Sequence, residues 1–271
     1  MPSDTKRICG PADETRAPLD ENKIKQDREK HVVIDGKRQD GRTCVEIRKF
    51  FVRANAVTQA KGSAYIETGK TKIICSIYGP RESLRKQEFR MKGKLTCEIN
   101  YAPFSCKKRR SPVRDSEEKD LSNIIKQALE PAIILEKFPK AQIDIYIMVL
   151  ENDGNVLSGA INCATVALVD AGIEMYDLVI ASSLVQSIDN TLLDPLCTEE
   201  SNEEVCGLVT VAFLPVLNQI SVLNMDGELS LNRTNQAIQR CIEGCARIYP
   251  VIRHCITEHT KRTIKEPELS A

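Results

Sequence analysis

ENDGNVLSGAINCATVALVDAGIEMYDLV, residues Glu151 to Val179, is the stretch on which the reading of this chain turns. The apolar run IDIYIMVL leads into it, Asp153-Gly154 turns the chain, and a helix follows from about Ser158 to Asp170, ending at Ala171-Gly172. A turn that opens a helix can hold an anion, because the first helical amides lack partners within the helix and the dipole favours negative charge. Phosphate sites of this geometry combine Gly or Ser/Thr, which let the anion reach the backbone, with an Arg or Lys. The residues after this turn are instead Asn155, Val156 and Leu157. Two branched apolar residues and no cation leave the helix terminus alone, worth about 1 kcal/mol when exposed. That is too little to hold inorganic phosphate or a nucleotide as a reactant.

Working outward, FPKAQIDIYIMVL reads as a turn and a strand with Ile143, Ile145, Ile147 and Val149 on one face. Before it, Asp115 or Ser116 caps a helix with Glu117 and Glu118 in its first turn. Leu121, Ile124, Ile125, Ala128 and Leu129 keep helical spacing, and Pro131 is placed within that pattern to bend it. Further back, VEIRKFFVR reads as a strand, and SAYIETG and TKIICSIYGP as a hairpin turning at Gly69-Lys70. Downstream come the strand LVIASSLVQSI, the acidic segment DPLCTEESNEEV, and the strands GLVTVAFLPVL and QISVLNM, with Asp226-Gly227 closing the turn of that pair. A last helix starts near Asn232 or Thr234 and lines up Ile238, Cys241, Ile242, Cys245, Ile252, Cys255 and Ile256. Pro250 lies inside it, and an internal Pro costs about 3 kcal/mol unless the helix bends, so a kink is expected near Ile248. Strands outnumber helices and each helix follows a group of strands, which gives an α+β or mixed α/β chain.

At 271 residues and 42% hydrophobic, the chain can bury a sizeable core, and its formal net charge of zero leaves any nucleic-acid surface to local asymmetry. No apolar run approaches the ~20 residues of a membrane span, and MPSDTKRICG has no apolar signal region. Eleven cysteines, an odd number in a long chain, read as reduced thiols of the cytosol or nucleus. Cys75, Cys97, Cys163 and Cys245 fall in apolar patterns, and the alignment of Cys241 and Cys245 with His254 reads as core rather than as a metal site, since no paired CxxC accompanies it. Residues 1–35 mix charges of both signs with three prolines and are expected to be a disordered tail. Residues 36–262 are expected to form the folded domain, with 263–271 as a second tail.

Without GxGxxG, Walker, HExxH or GxSxG motifs, chemistry must come from charge clusters. Arg81 to Arg114 carries eleven Lys/Arg against three Asp/Glu, including Lys107, Lys108, Arg109, Arg110 and Arg114. On a loop these can neutralise RNA phosphates. They can equally be a solvated loop, a nuclear-import signal or a contact to an acidic protein, and no aromatic residue interleaves to stack bases. Glu199, Glu200, Glu203 and Glu204 can hold Mg²⁺ or act as acid and base, but such a run reads more readily as a solvated loop.

RQDGR (Arg38 to Arg42), QAKGSAYIETGKTKIICSIYGPRES, LTCEINYAPFS, FPKAQIDI and DGNVLSGAINCATVALVDAGIEMYDLV, in this order, resemble the RNase PH family. QAKGSAY, GIEMYDLV, LLDP, LPVLNQ and EGCARIYPV narrow the likeness to exosome ring subunits of the mRNA-transport-regulator type, over about Arg38 to Arg262. The resemblance implies an α+β RNase PH-like fold (ribosomal protein S5 domain 2-like), with sheets flanked by helices and six such chains closing a ring around an RNA channel. Active members use inorganic phosphate to shorten RNA from its 3′ end. They carry Gly-Ser/Thr-Arg where this chain has Asn155-Val156-Leu157, and two aspartates after LLDP where the alignment sets Glu200 and Cys206. The implied function is a non-catalytic subunit, with no cofactor and no metal, that retains a basic loop for RNA. Its implied partners are other RNase PH-like subunits of a hetero-hexameric ring, cap subunits of S1 and KH type, RNA and an associated exoribonuclease. A nuclear, nucleolar and cytoplasmic location goes with that reading. The rivals are a working phosphorolytic exoribonuclease that rebuilds its site around Glu200, and a lone RNA-binding module.

Overall fold

Alternation of apolar residues builds the first sheet. Ile73, Cys75 and Ile77, Leu95, Cys97 and Ile99, and Ile143, Ile145, Ile147 and Val149 are all buried, while their neighbours along each strand, the buried Asp144 apart, are more exposed. The computed structural model describes residues 33–34, 37–82, 92–111, 113, 115–188, 190–202 and 204–269. Two two-residue strands, β1 (Val33–Ile34) and β2 (Lys37–Arg38), pair with each other. The five-stranded sheet comprises β3 (Phe50–Ala54), β4 (Gly62–Thr68), β5 (Thr71–Glu82), β6 (Lys94–Tyr101) and β7 (Ala141–Glu151), in the order β3-β4-β5-β7-β6. β4 and β5 meet across the two-residue turn at Gly69-Lys70, with Thr68 opposite Thr71. β6 and β7 are parallel, and the crossover between them carries helix α1 (Ser116–Leu129).

The second sheet has four strands, β8 (Ile180–Ser187), β9 (Thr191–Leu193), β10 (Val205–Leu214) and β11 (Gln219–Gly227), in the order β11-β10-β8-β9. Three helices lie between the sheets. α1 touches β6 and β11, α2 (Val156–Asp170) touches β4, β5, β8 and β10, and the C-terminal helix touches β3, β8 and β10. Contact on both sides explains why α2 is apolar nearly all round and rich in small residues. Gly62 shows how close the layers come, since a Cβ there would lie 2.2 Å from the Ala171 nitrogen. The short helix α3 (Cys197–Glu200) and the C-terminal helix α4 (Leu231–Leu269) complete the described elements.

Four local expectations need correction. Val45 to Lys49 is not strand; Arg48 is drawn into a buried ion pair and its segment follows it. α1 ends at Leu129, so Pro131 bends nothing and sits in a 3-10 turn, Glu130–Ala132, where its missing N–H is not needed. The β10–β11 turn is formed by residues 215–218, with Asn218 left-handed, whereas Asp226 and Gly227 lie at the far end of β11 opposite Leu208 and Gly207. α4 continues unbroken through Pro250, whose ring is exposed and whose lost bond falls on Ala246, also exposed and open to water. Cys241 and Cys245 are core residues, their thiols 3.9 Å from the Val209 oxygen and 3.4 Å from the Ile180 oxygen.

Candidate functional site

β7 ends at Glu151 and α2 begins at Val156, and the residues between them form the candidate site. Gly154 and Asn155 are both left-handed, with φ of 89° and 57°. Gly154 also needs the room, because a Cβ would lie 2.5 Å from the Cys197 nitrogen. The amides of the turn, Asn152 to Asn155, each have a partner within the chain. The Asp153 amide donates to Thr71 Oγ1 (3.2 Å), the Gly154 amide to Asn152 Oδ1 (2.9 Å) and the Asn155 amide to Glu200 Oε1 (2.7 Å). The Asp153 oxygen accepts from Arg48 Nη1 (3.0 Å) and the Cys197 amide (3.1 Å), and the Gly154 oxygen from Thr71 Oγ1 (2.9 Å). Val156 and Leu157 are buried as part of the core.

Beneath the turn lies a buried charge network. Arg48 grips Asp194 bidentately, Nη2 to Oδ1 at 2.7 Å and Nε to Oδ2 at 3.0 Å, and the Arg48 amide adds a bond of 2.9 Å to Oδ2. Asn155 Nδ2 donates to Asp194 Oδ1 at 2.6 Å, and Ser158 Oγ donates to Asn155 Oδ1. Burial alone would raise the Asp194 carboxyl, but the bonds and charge of Arg48, with the bond from Asn155, outweigh it and hold the carboxyl below its ordinary range. Arg38 Nη2 donates to the carbonyls of Leu193 (2.5 Å) and Cys44 (2.7 Å), and its Nη1 lies 3.5 Å from Glu199 Oε2. Arg42 Nη1 reaches within 3.8 Å of Asp194 Oδ2. The RQDGR segment therefore docks on the β9–α3 connection through its arginines.

The acidic run is not a solvated loop at its first two members. Glu199 is 2% exposed, and its Oε2 accepts from the Leu196 amide at 2.8 Å, which starts α3. Glu200 is partly buried, and burial pushes its carboxyl up to about 7 despite the bond from Asn155 and the charge of Arg48. Glu204 is partly buried, and Glu203 lies outside the described residues.

The basic loop faces the turn across a cleft of about 550 Å³ lined by Lys70, Lys72, Phe104, Lys107, Glu151 and Asp153. Lys107, Lys108 and Arg109 are exposed. Arg110 differs, because its guanidinium sits 4.1 Å above the Tyr101 ring and its Nη2 donates to Glu117 Oε2 at 3.0 Å. Arg114 lies outside the described residues. Phe104, which the sequence reading passed over, is 71% exposed beside Lys107 and offers the aromatic face that reading found missing. A larger groove of about 610 Å³ between β3 and α4 shares no residue with this cleft.

Residues 46–174 match the 3′ exoribonuclease family, domain 1 (RNase_PH). The human exosome complex component MTR3 is 34% identical over 97% of each chain. The chain belongs to the RNase PH family. Exosome complex component Rrp41 of Pyrococcus furiosus is 39% identical over 86% of this chain and 93% of its own. Among solved structures, rice Rrp46 aligns with a TM-score of 0.71 at 26% identity, covering 81% of this chain and all of that one. A chain of the Archaeoglobus fulgidus exosome, solved with RNA bound to the active site, shares the fold with a TM-score of 0.74 at 19% identity. The α+β RNase PH-like fold is thus established.

The two positions set at the degenerate acidic site, Glu200 and Cys206, lie apart in this RNase PH chain. Glu200 reaches the turn, but Cys206 lies on β10, where its carbonyl accepts from the Glu228 amide (2.9 Å). The second carboxylate at the turn is Asp194, six residues before Glu200. The LLDP motif was the available signal, since it places an Asp directly after a short apolar strand. Arg38 and Arg48 carried no such signal, because each looks like any charged residue until β9 arrives beside it.

Proposed function

We propose that this chain is a non-catalytic subunit of an RNA exosome core ring, with other RNase PH-like chains as ring neighbours in a hetero-hexamer. The observation that carries this is the turn ahead of α2, whose amides from Asn152 to Asn155 are bonded within the chain and whose nearest guanidinium, Arg48, is spent on Asp194. Phosphorolysis needs an oxyanion held by uncommitted donors and a cation that compensates charge as it develops. Here both kinds of group serve the fold. The exposed Lys107, Lys108 and Arg109, with Phe104, supply a surface for single-stranded RNA in the channel. Cap subunits of S1 and KH type and an associated exoribonuclease complete the assembly, which works in nucleus, nucleolus and cytoplasm.

The test is phosphate-dependent release of nucleoside diphosphates from RNA by the chain assembled with its partners. No release above background is expected. Release that Glu200→Ala abolishes would overturn the reading in favour of an active phosphorolytic exoribonuclease, for which a carboxyl near 7 at Glu200 is the one favourable feature.

A further inference from the structure

We infer that the groove between β3 and α4 is a docking site for an extended segment of another protein, one that alternates acidic and apolar residues and adds as a strand along the free edge of β3. The groove has a volume of about 610 Å³ and none of its lining residues belongs to the turn ahead of α2 or to the basic loop. The inference therefore stands whether or not the chain is catalytic. β3 ends the order of its sheet, so among the described residues no strand lies on its other side. Lys49 and Asn55 bond to β4 and its turn, the Lys49 oxygen accepting from the Gly69 amide (3.0 Å) and the Asn55 amide donating to the Ser63 oxygen (2.8 Å). By antiparallel alternation Phe50, Val52 and Ala54 turn their backbone groups the other way, toward the groove. The thiol of Cys255 confirms that direction, since it donates to the Val52 oxygen at 3.4 Å. Among the described residues nothing bonds the amide or the oxygen of Phe50. Those are the two groups that an added strand takes up.

Side chains set the chemistry of the occupant. Phe50, Phe51, Val52 and Ala54 of β3 and Val251 and Cys255 of α4 give the groove an apolar lining, and Phe51 and Val251 are 52% and 41% exposed. Edge strands that face water are commonly blunted by charge or covered by another element, so an apolar lining on this one fits a surface that a partner covers. The charges beside it are mostly positive. Arg53 and Arg262 are exposed and have no hydrogen-bond or ion-pair partner among the described residues, and His254 is exposed with them. The lining holds one carboxylate, Glu258, and Lys261 Nζ lies 3.3 Å from its Oε1. His259 is drawn to Asp170, 3.5 Å away. Two unpaired guanidiniums beside an apolar lining match carboxylates set between apolar anchors. Single-stranded RNA would answer the arginines and one ring, but it would leave most of the apolar lining and the Phe50 backbone without a counterpart.

The experiment measures the fluorescence anisotropy of a labelled peptide, Asp-Phe-Asp-Val-Asp-Phe-Asp, against the full chain, alone and assembled with its partners, beside the same peptide with Lys for every Asp. The acidic peptide is expected to bind about tenfold or more tighter than the Lys peptide. Reversing both charges, Arg53→Glu with Arg262→Glu, should invert that preference. Hydrogen exchange at the Phe50 amide should slow about tenfold when the acidic peptide saturates the chain. Equal affinity for the two peptides, a preference that the double variant keeps, or a Phe50 amide that exchanges as before would overturn the inference. Should the double variant fail to fold, Arg53→Gln with Arg262→Gln takes its place and must bring the two affinities together. Binding by the chain alone that disappears in the assembly would make the groove a contact between subunits. Tighter binding of oligoadenylate, lost in the double variant, would give the groove to RNA, and either result defeats the proposal.

Discussion

The turn at Asp153–Leu157 and the loop at Phe104–Arg110, whose residues Asp153 and Phe104 to Lys107 line one cleft, handle charge in opposite ways. At the turn, Arg48, Asp194, Asn155 and Glu200 bond one another, so the guanidinium and the Asn155 amide that an anion would need are engaged within the chain. At the loop, Lys107, Lys108 and Arg109 stand in solvent, where they contribute little to folding and stay available. Charge that is buried fixes structure, and charge that is exposed remains free for a partner. Each experiment below moves a residue from one of these regimes toward the other.

The largest effect is expected at the centre of the network. Arg48→Ala leaves Asp194 buried without its partner, which costs about 3–5 kcal/mol. Denaturant unfolding followed by circular dichroism would measure it, and a loss below about 1 kcal/mol would break the contrast by showing the pair to be dispensable. The same pair sets the acid limit of the fold. Because the Asp194 carboxyl is held below its ordinary value of 3.8, its contribution is present above that pH and is lost as pH falls through the lower, folded value.

Gly154→Ala comes next, at about 3 kcal/mol from a left-handed φ and a Cβ meeting the backbone of Cys197. It also separates two explanations of the closed turn. If residues 195–197 hold Glu200 in place, the variant should expose the Asn155 amide to hydrogen exchange as well as lower stability. Stability lost with exchange unchanged would locate the restraint elsewhere.

Glu200→Gln has a smaller effect with a distinct signature. Burial raises the Glu200 carboxyl from 4.5 to about 7, so the folded chain holds a proton that the unfolded chain has released. The stability this provides is full below pH 4.5 and falls as pH rises toward 7, with a slope of up to about 1.4 kcal/mol per pH unit. Glu200→Gln should flatten that slope, as unfolding midpoints measured at intervals of pH would show. A slope identical to the wild type would mean that Glu200 does not titrate in this window.

Sequence pattern reached the sheets more readily than the site. Alternation in IDIYIMVL and the Gly69-Lys70 turn are local signals, and both elements formed as expected. Pro250 misled because its cost depends on which side of α4 it faces, which only packing decides. Asp226-Gly227 has the composition of a hairpin turn, yet its neighbour across the sheet is Gly207 rather than the returning strand's start. The charge network was illegible for a deeper reason. Arg48 and Asp194 are 146 residues apart, and burial, which changes a surface ion into a structural one, has no signature in a run of charged letters. Glu199 was misjudged in the same way, its neighbours in sequence suggesting solvent while Arg38 waited across the fold.

The smallest changes in stability test the loop, and they divide residues that look alike in sequence. Replacing Lys107, Lys108 and Arg109 together by Ala should leave stability within about 0.5 kcal/mol. Binding of single-stranded RNA by the assembled complex should weaken, with the salt slope of log affinity falling by about 0.7 for each phosphate no longer neutralised. Arg110→Ala should do the reverse. Its guanidinium is already occupied by the Tyr101 ring and Glu117, so removal costs about 1 kcal/mol of stability and changes RNA binding little. A drop in RNA binding at Arg110 as large as at its three neighbours would show that a guanidinium already paired with Glu117 can still recruit a partner. The rule that separates the turn from the loop would then fail at Arg110.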